Sequence, residues 1–430
     1  MVFTGSDATV NLPVEIWSRV FIFSAGDDER SLQTIVCVNH TFRTIADNTP
    51  QLWTKITFDE EGHFTDVLRA RRLLQKSGAL PLHIEIDIPD SDSLADTQPL
   101  AKILREEVAR FQTLKISAFT HHRLDTFLLE MGRDQPAPYL ERINIACEGE
   151  DLQDADSNDL TGFQVEHNTL RTLFQPSPRL THVEVPAYLL PLDSSLPMLS
   201  NVRDLTLDAN NFGDDPHIDR TLNILHHLHL LRLFDYRGLC IASEDPHNTL
   251  PFVSTPRLLS ATVSAPGTGL DILCRLDAPN IQQIHLNGGY VDPVDSSLIV
   301  CLRFLTQRMS SITALELADI VVHDPISVYP WLFSSEAFPA LQILALRESD
   351  ITDEALQLCR PSTSLGRLEL CMCRVTLAGL LPFVEGCDKS FELLLHSCEH
   401  VPSNDDTPLS NHVKVEYEHP RTSWWDLPVD

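Results

Sequence analysis

From residue 53 onward the apolar residues repeat one short template, apolar-x-x-apolar-x-apolar. It occurs at Trp53/Ile56/Phe58, Leu140/Ile143/Ile145, Leu180/Val183/Val185, Val202/Leu205/Leu207, Leu228/Leu231/Leu233, Leu258/Ala261/Val263, Ile281/Ile284/Leu286, Ile312/Leu315/Leu317, Leu341/Leu344/Leu346 and Leu365/Leu368/Leu370. Partial copies stand at Leu82/Ile84/Ile86, Leu114/Ile116 and Leu393/Leu395. The last two apolar positions of each copy are one residue apart, the alternation of a strand with a buried face. Successive copies are 22 to 31 residues apart, with one longer interval of 40 between Ile143 and Val183. Between them the apolar spacing changes to that of a helix over 64–76, 99–111, 122–131, 219–228, 298–309 and 354–358.

One strand and one helix of this size cannot bury their own apolar faces, so such units must stack and share a core. The period is that of a leucine-rich repeat. The chain is therefore expected to be α/β over 59–430, a curved leucine-rich-repeat solenoid with parallel strands on the concave side and helices on the convex side. The long interval holds an acidic insertion near 147–168.

The first 58 residues follow another rule. Asn11 is placed to cap a helix that Pro13 opens, because the first turn does not use the N–H that proline lacks. Val14, Ile16, Trp17, Val20, Phe21, Ile22 and Phe23 make this helix apolar nearly all round, where a surface helix carries one stripe. A second helix holds Leu32, Ile35, Val36 and Val38, and a third holds Phe42, Ile45 and Ala46, ending near Thr49-Pro50. Three helices of about 40 residues in all cannot bury this much apolar surface among themselves. Some of it must face another domain or another protein.

The ordered set Leu12-Pro13-x-Glu15-Ile16, Leu32, Val36-Cys37-Val38-Asn39-x-x-Phe42-Arg43-x-Ile45-Ala46 and Pro50-x-Leu52-Trp53 resembles an F-box, in the form found in F-box-like proteins of fungi. Trp17 departs from the family, which more often has a smaller aliphatic there, and this bears on the fit to a partner. The resemblance implies a three-helix domain over 1–58 that docks on a Skp-type adaptor, and through it on cullin and RING subunits. Leu12, Pro13, Ile16, Val20, Leu32 and Val36 are its candidates for the adaptor interface or the support of that interface. The repeats would then hold an unknown target protein, making the chain a substrate-recognition subunit of an SCF-type ubiquitin ligase. Such a subunit acts by proximity and performs no bond chemistry. The alternative is a non-ligase scaffold or inhibitor whose N-terminal helices only cap the solenoid. A third reading, an acidic leucine-rich-repeat GTPase activator, would want more regular repeats.

Charge and composition narrow the classes further. The chain has 61 acids against 32 bases, a net charge of −29, whereas a nucleic-acid partner requires a basic face. No run approaches the roughly 18 apolar residues of a membrane span, and the N-terminus lacks the pattern of a secretory signal. Ten cysteines are scattered without any CxxC, as reduced thiols would be. GxGxxG, GKS/T and GxSxG are absent. The expectation is a soluble, non-catalytic, cofactor-free protein of the cytoplasm and/or nucleus, with neither nucleic acid nor membrane as partner.

Several groups imitate functional sites. Asp154, Asp156 and Asn158 have calcium-loop spacing, but Asp159 stands where the sixth position needs Gly, so a solvated acidic loop is the better reading. Cys359, Cys371, Cys373, Cys387, His396, Cys398 and His400 have zinc-ligand chemistry without finger spacing, and cysteine also fills inward turns of leucine-rich repeats as a small apolar residue. His226, His227 and His229 close a helix, where a ring can meet exposed carbonyls. Trp424 and Trp425 are expected to cover the last open repeat. The most informative interaction surface is the strand residue between the last two anchors, directed to the concave face: Asn144, Glu184, Thr206, Arg232, Thr262, His285, Glu316, Ala345 and Glu369. From these, Arg232, His285, Glu316 and Glu369 are the candidates for target binding.

Overall fold

The structure, a computed structural model, describes residues 12–25, 29–58, 67–88, 97–147, 169–189, 196–209, 218–238, 252–264, 269–288, 295–322, 324–388, 390–398, 400–401, 409 and 414–418. Asn11, the acidic segment from 148 to 168 with its calcium-like spacing, and Trp424-Trp425 lie outside the described residues. Two compact units divide at Val185/Pro186.

The first unit opens with α1 (Val14–Ala25), α2 (Glu29–Val38) and α3 (His40–Asp47), followed by a 3-10 turn over Pro50–Trp53. Asn39 caps α3, its side chain accepting from the Phe42 N–H at 2.8 Å. Phe21, Ala25, Leu32, Ile45, Ala46, Leu52 and Trp53 form the buried core of these helices. Trp17 turns inward, its ring 5.7 Å from Phe21 and 4.7 Å from Phe42. The residue that departs from the F-box pattern therefore fills the helical core.

The repeats follow as β1 (Lys55–Phe58), α4 (Val67–Lys76), β2 (Leu82–Ile88), α5 (Gln98–Glu107), β3 (Phe111–Ala118), α6 (His121–Gly132), β4 (Arg142–Cys147), α7 (Thr169–Thr172) and β5 (His182–Pro186). Each strand pairs in parallel with the next in sequence, and α4, α5, α6 and α7 pack in succession. Trp53 joins the helices to this stack. Its indole N–H donates to the Ala46 carbonyl at 2.8 Å, and the Lys76 ammonium of α4 lies 3.8 Å over the ring while pairing with Asp47 at 2.6 Å.

The second unit holds β6 (Asp204–Ala209), α8 (Ile218–His227), β7 (Leu233–Gly238), β8 (Val253–Ser254), β9 (Ser260–Ser264), α9 (Gly269–Arg275), β10 (Leu276–Asp277), β11 (Gln283–Asn287), α10 (Asp295–Arg308), β12 (Ala314–Ala318), α11 (Pro325–Leu332), β13 (Ile343–Arg347), α12 (Asp353–Leu358), β14 (Arg367–Cys371), α13 (Leu377–Val384), β15 (Glu392–His396) and β16 (Lys414–Glu418). Its main sheet runs in the order β6-β7-β9-β11-β12-β13-β14-β15-β16, all parallel, with β8 and β10 paired separately. The chain is thus α/β and of leucine-rich-repeat type, with three helices leading into stacked strand–helix repeats.

All but one of the strand templates lie where the apolar pattern puts them. The exception is Leu228/Leu231/Leu233, which is three residues early: β7 buries Phe234 and Tyr236, so the true copy is Leu231/Phe234/Tyr236. Leu228 and Leu231 instead make the preceding turn, with the Leu231 N–H donating to the Leu228 carbonyl at 3.1 Å.

Adjacent repeats are also stapled through their loops. The Asp353 carboxylate accepts from both the N–H (2.8 Å) and the hydroxyl (2.5 Å) of Thr376, which in turn caps α13. Gly379 sits against this staple, where an added Cβ would lie 2.8 Å from the Asp353 Cα. Gly379→Ala is therefore expected to destabilise the second unit by about 1–3 kcal/mol through overpacking, read as a lowered denaturant midpoint.

Candidate functional site: two outward-facing surfaces

Helix α1 carries two apolar stripes. Trp17, Phe21 and Ala25, four residues apart, face the helical core. Ile16, Val20 and Phe23, at i, i+4 and i+7, fall on another face and are 42%, 40% and 92% exposed. Leu12 extends this stripe ahead of the helix, and Val14, Ile22 and, on α2, Val38 are exposed as well. Pro13 is exposed too, with its carbonyl accepting the Ile16 N–H at 3.0 Å.

Among the described residues, only the first of these stripes joins the core. Burying a single such side chain is worth roughly 1.5–3 kcal/mol. A contiguous exposed set is therefore a surface on which association would be strongly favoured. Of the sequence candidates, Leu12, Pro13, Ile16 and Val20 are brought together on it. Leu32 is buried in the helical core and Val36 is half-buried against it, so these two support the surface from beneath. Phe23 is a member that the family pattern did not single out. The i, i+4, i+7 spacing from Ile16 to Phe23 is the sequence signal that could have found Phe23.

The second surface is the sheet face opposite the helices. In the first unit the register aligns Thr57, Glu85, Lys115, Asn144 and Glu184 across β1 to β5. Lys115 pairs with Glu85 at 2.6 Å, and the Asn144 amide donates to Glu184 at 2.6 Å. In the second unit the corresponding row is Thr206, Asp235, Thr262, His285, Glu316, Ala345, Glu369 and Leu394. Asp235 holds the place expected for Arg232. Because β7 begins later than the template suggested, Arg232 lies in the turn before it, its backbone bonded to Arg203 and Leu259.

Glu316 and Glu369 also depart from expectation, at 1% and 4% exposed. The cause is arginine from the row beside them: Arg347 Nε lies 2.5 Å from Glu316, and Arg367 Nη2 lies 2.6 Å from Glu369. A charge taken out of water needs such a partner. These two carboxylates are structural ion pairs at the sheet face, where free contacts were expected.

His285 stands 3.9 Å from the same Glu316 oxygen. Arg347 already neutralises that carboxylate, so burial first, and the Arg347 charge second, hold the imidazole down to about 4. The unfolded chain then binds the proton more readily than the folded one between the ordinary histidine value and pH 4. Stability from this group is full above about pH 6.5 and falls as the pH drops toward 4. His285→Gln is expected to flatten that part of the stability–pH curve, measured by denaturant titration.

The cysteine cluster is occupied with backbone contacts. The thiols of Cys359, Cys373, Cys387 and Cys398 donate to the carbonyls of Ala355, Leu346, Phe383 and Leu370 at 3.2–3.4 Å. Burial pushes Cys359 and Cys387 up to about 12 and Cys398 up to about 11, away from the thiolate that metal binding or nucleophilic attack requires. Among the described residues no His, Cys, Asp and Glu group of three is placed to hold a metal ion. No described helix is long and apolar enough to cross a membrane. His226 and His227 are exposed at the end of α8, rings 5.4 Å apart.

No family model matches the chain, and no curated protein matches it. Solved structures similar to the chain at low identity include the following two. One is a chain of the yeast Rad7–Elc1 complex, 12% identical over 94% of this chain and 92% of that one, with a TM-score of 0.37. The other is a Bacteroides fragilis protein, 14% identical over 62% of this chain and 68% of that one, with a TM-score of 0.35. Both scores are too low for an argument, so the fold assignment stands on the strand order and register above.

Proposed function

We propose that the chain is a substrate receptor of an SCF-type cullin–RING ubiquitin ligase, in which α1 and α2 dock on a Skp-type adaptor and the repeats hold a target protein. The observation that carries this reading is the second apolar stripe of α1, Leu12, Ile16, Val20 and Phe23, which is exposed and outside the helical core among the described residues. The F-box-like pattern to which Leu12 and Ile16 belong suggests the partner class. The receptor supplies no bond chemistry; it raises the effective concentration of target lysines at the charged enzyme.

A reading in which the helices only cap the repeats draws on Trp53 and Lys76, which lock them to the first repeat. That contact is made by the inward side of the domain and leaves the outward stripe without a purpose. The test is reconstitution from purified subunits. Cullin and RING subunits are expected to be retained by the immobilised chain only when the adaptor is added. Adaptor binding without cullin recruitment would overturn the ligase reading and favour the scaffold.

A further inference from the structure

The loops that follow β12, β13 and β14 enclose a cavity of about 880 Å³. Three successive repeats build it in the same way. Asp319, Glu348 and Met372 each stand one residue past a strand in the left-handed region, at φ of 50°, 47° and 52°. The N–H of each donates to the last carbonyl of the following strand, at 3.0, 2.8 and 2.8 Å, which holds the three residues in a rank. Two further carboxylates shape the walls. Asp350 accepts from the Val322 N–H and the Tyr329 hydroxyl, both at 2.8 Å, and Asp353 is held by Thr376.

The remaining lining is open to a ligand. Glu348 and Glu354 are exposed, and the Asp319 carboxylate stands beside Glu348. Val321 and Met372 are apolar and 54% and 47% exposed. Among the described lining residues, Arg374 is the single base against the carboxylates of Glu348, Asp350, Asp353 and Glu354. An anion is repelled by such a lining, and among the described residues no three of its carboxylates are placed to hold a metal ion. A cation with an apolar neighbour satisfies all of it.

We propose that this groove docks a basic peptide segment of the target, with an aliphatic side chain against Val321 and Met372 and Lys or Arg side chains paired to Glu348 and Glu354. The proposal rests on the reading of the repeats as a target receptor and assigns where and what they bind. It also moves the recognition surface from the sheet face, where Glu316 and Glu369 are buried, to the loop edge.

The test uses the full chain and a fluorescein-labelled peptide, Gly-Lys-Leu-Arg-Lys-Leu-Gly, followed by fluorescence anisotropy at physiological salt. Its counterpart with Glu at the basic positions serves as the second probe. Glu348→Lys with Glu354→Lys is expected to weaken binding of the basic peptide at least about tenfold. Met372→Ser is expected to weaken it several-fold. Glu385→Lys with Asp388→Lys removes the same charge at the exposed far end of α13 and is expected to leave binding unchanged.

Equal losses in both double variants would show generic attraction to a chain of charge −29 and overturn the proposal. Failure of the wild type to prefer the basic peptide would overturn it as well. Adaptor capture is measured on the same preparations. Capture retained without peptide preference removes the groove alone, whereas peptide preference retained without capture removes the ligase reading alone.

Discussion

Ile16→Asp is expected to weaken capture of a Skp-type adaptor roughly 100-fold, about 3 kcal/mol, while leaving the unfolding midpoint of the chain nearly unchanged. The two halves of this expectation have separate causes. Ile16 is exposed on the outward stripe and contributes no contact to the Phe21–Leu32–Trp53 core, so a carboxylate there stays hydrated in the free protein. At an apolar interface the same carboxylate must lose its water without a partner, which is costly. Phe23→Ala, at the most exposed large side chain of the stripe, is expected to act in the same direction. Isothermal titration of purified adaptor, beside a denaturant melt of each variant, separates binding from folding. Wild-type affinity in Ile16→Asp would remove this face as the interface.

Trp53→Ala is expected to do the reverse, damaging the fold of the first unit by about 3–5 kcal/mol. The indole fills the space between α3 and the first repeat, and its loss leaves the Ala46 carbonyl without its donor and the Lys76 ammonium without its ring. Amide hydrogen exchange is the direct readout. Faster exchange is expected across α1 to α3 and β1, with β11 to β15 of the second unit unaffected. Unchanged exchange in α1 to α3 would show that the helices do not depend on the repeat for their order.

Much of this architecture was legible because leucine-rich repeats place apolar residues by a local rule. Ile84, Ile143, Leu315 and Leu368 mark their strands without reference to anything distant. The template failed where aromatic residues took the anchor positions, at Phe234 and Tyr236, because three leucines just upstream satisfied it equally well. Helices α11 and α13 were missed because each contains an internal proline, Pro330 and Pro382, which reads locally as a break. Strand β16 carries Val415 and Tyr417 in place of leucine anchors and was missed for that reason.

The site was less legible, and the reason is contact between repeats. The surplus of apolar residues in α1 could be read from spacing, but the division into a core stripe and an outward stripe depends on where α2 and α3 pack. Leu32 stood as a candidate for the interface or its support, and only the packing shows that it lies in the core. Burial of Glu316 and Glu369 is set by Arg347, from the next strand, and by Arg367, which stands beside Glu369 on its own strand and leans across it. Nothing within a few residues of Glu316 announces that partner. The groove has the same character, since its acids and apolar residues come from three separate loops that only the parallel register brings together.

The most direct measurement for the central claim is co-purification of the full chain with a Skp-type adaptor, followed by the mass of the eluted species. The account requires a stable one-to-one complex that is lost in Ile16→Asp. A folded chain that elutes alone, with the adaptor left behind, would contradict it and leave the three helices as a cap on the repeats.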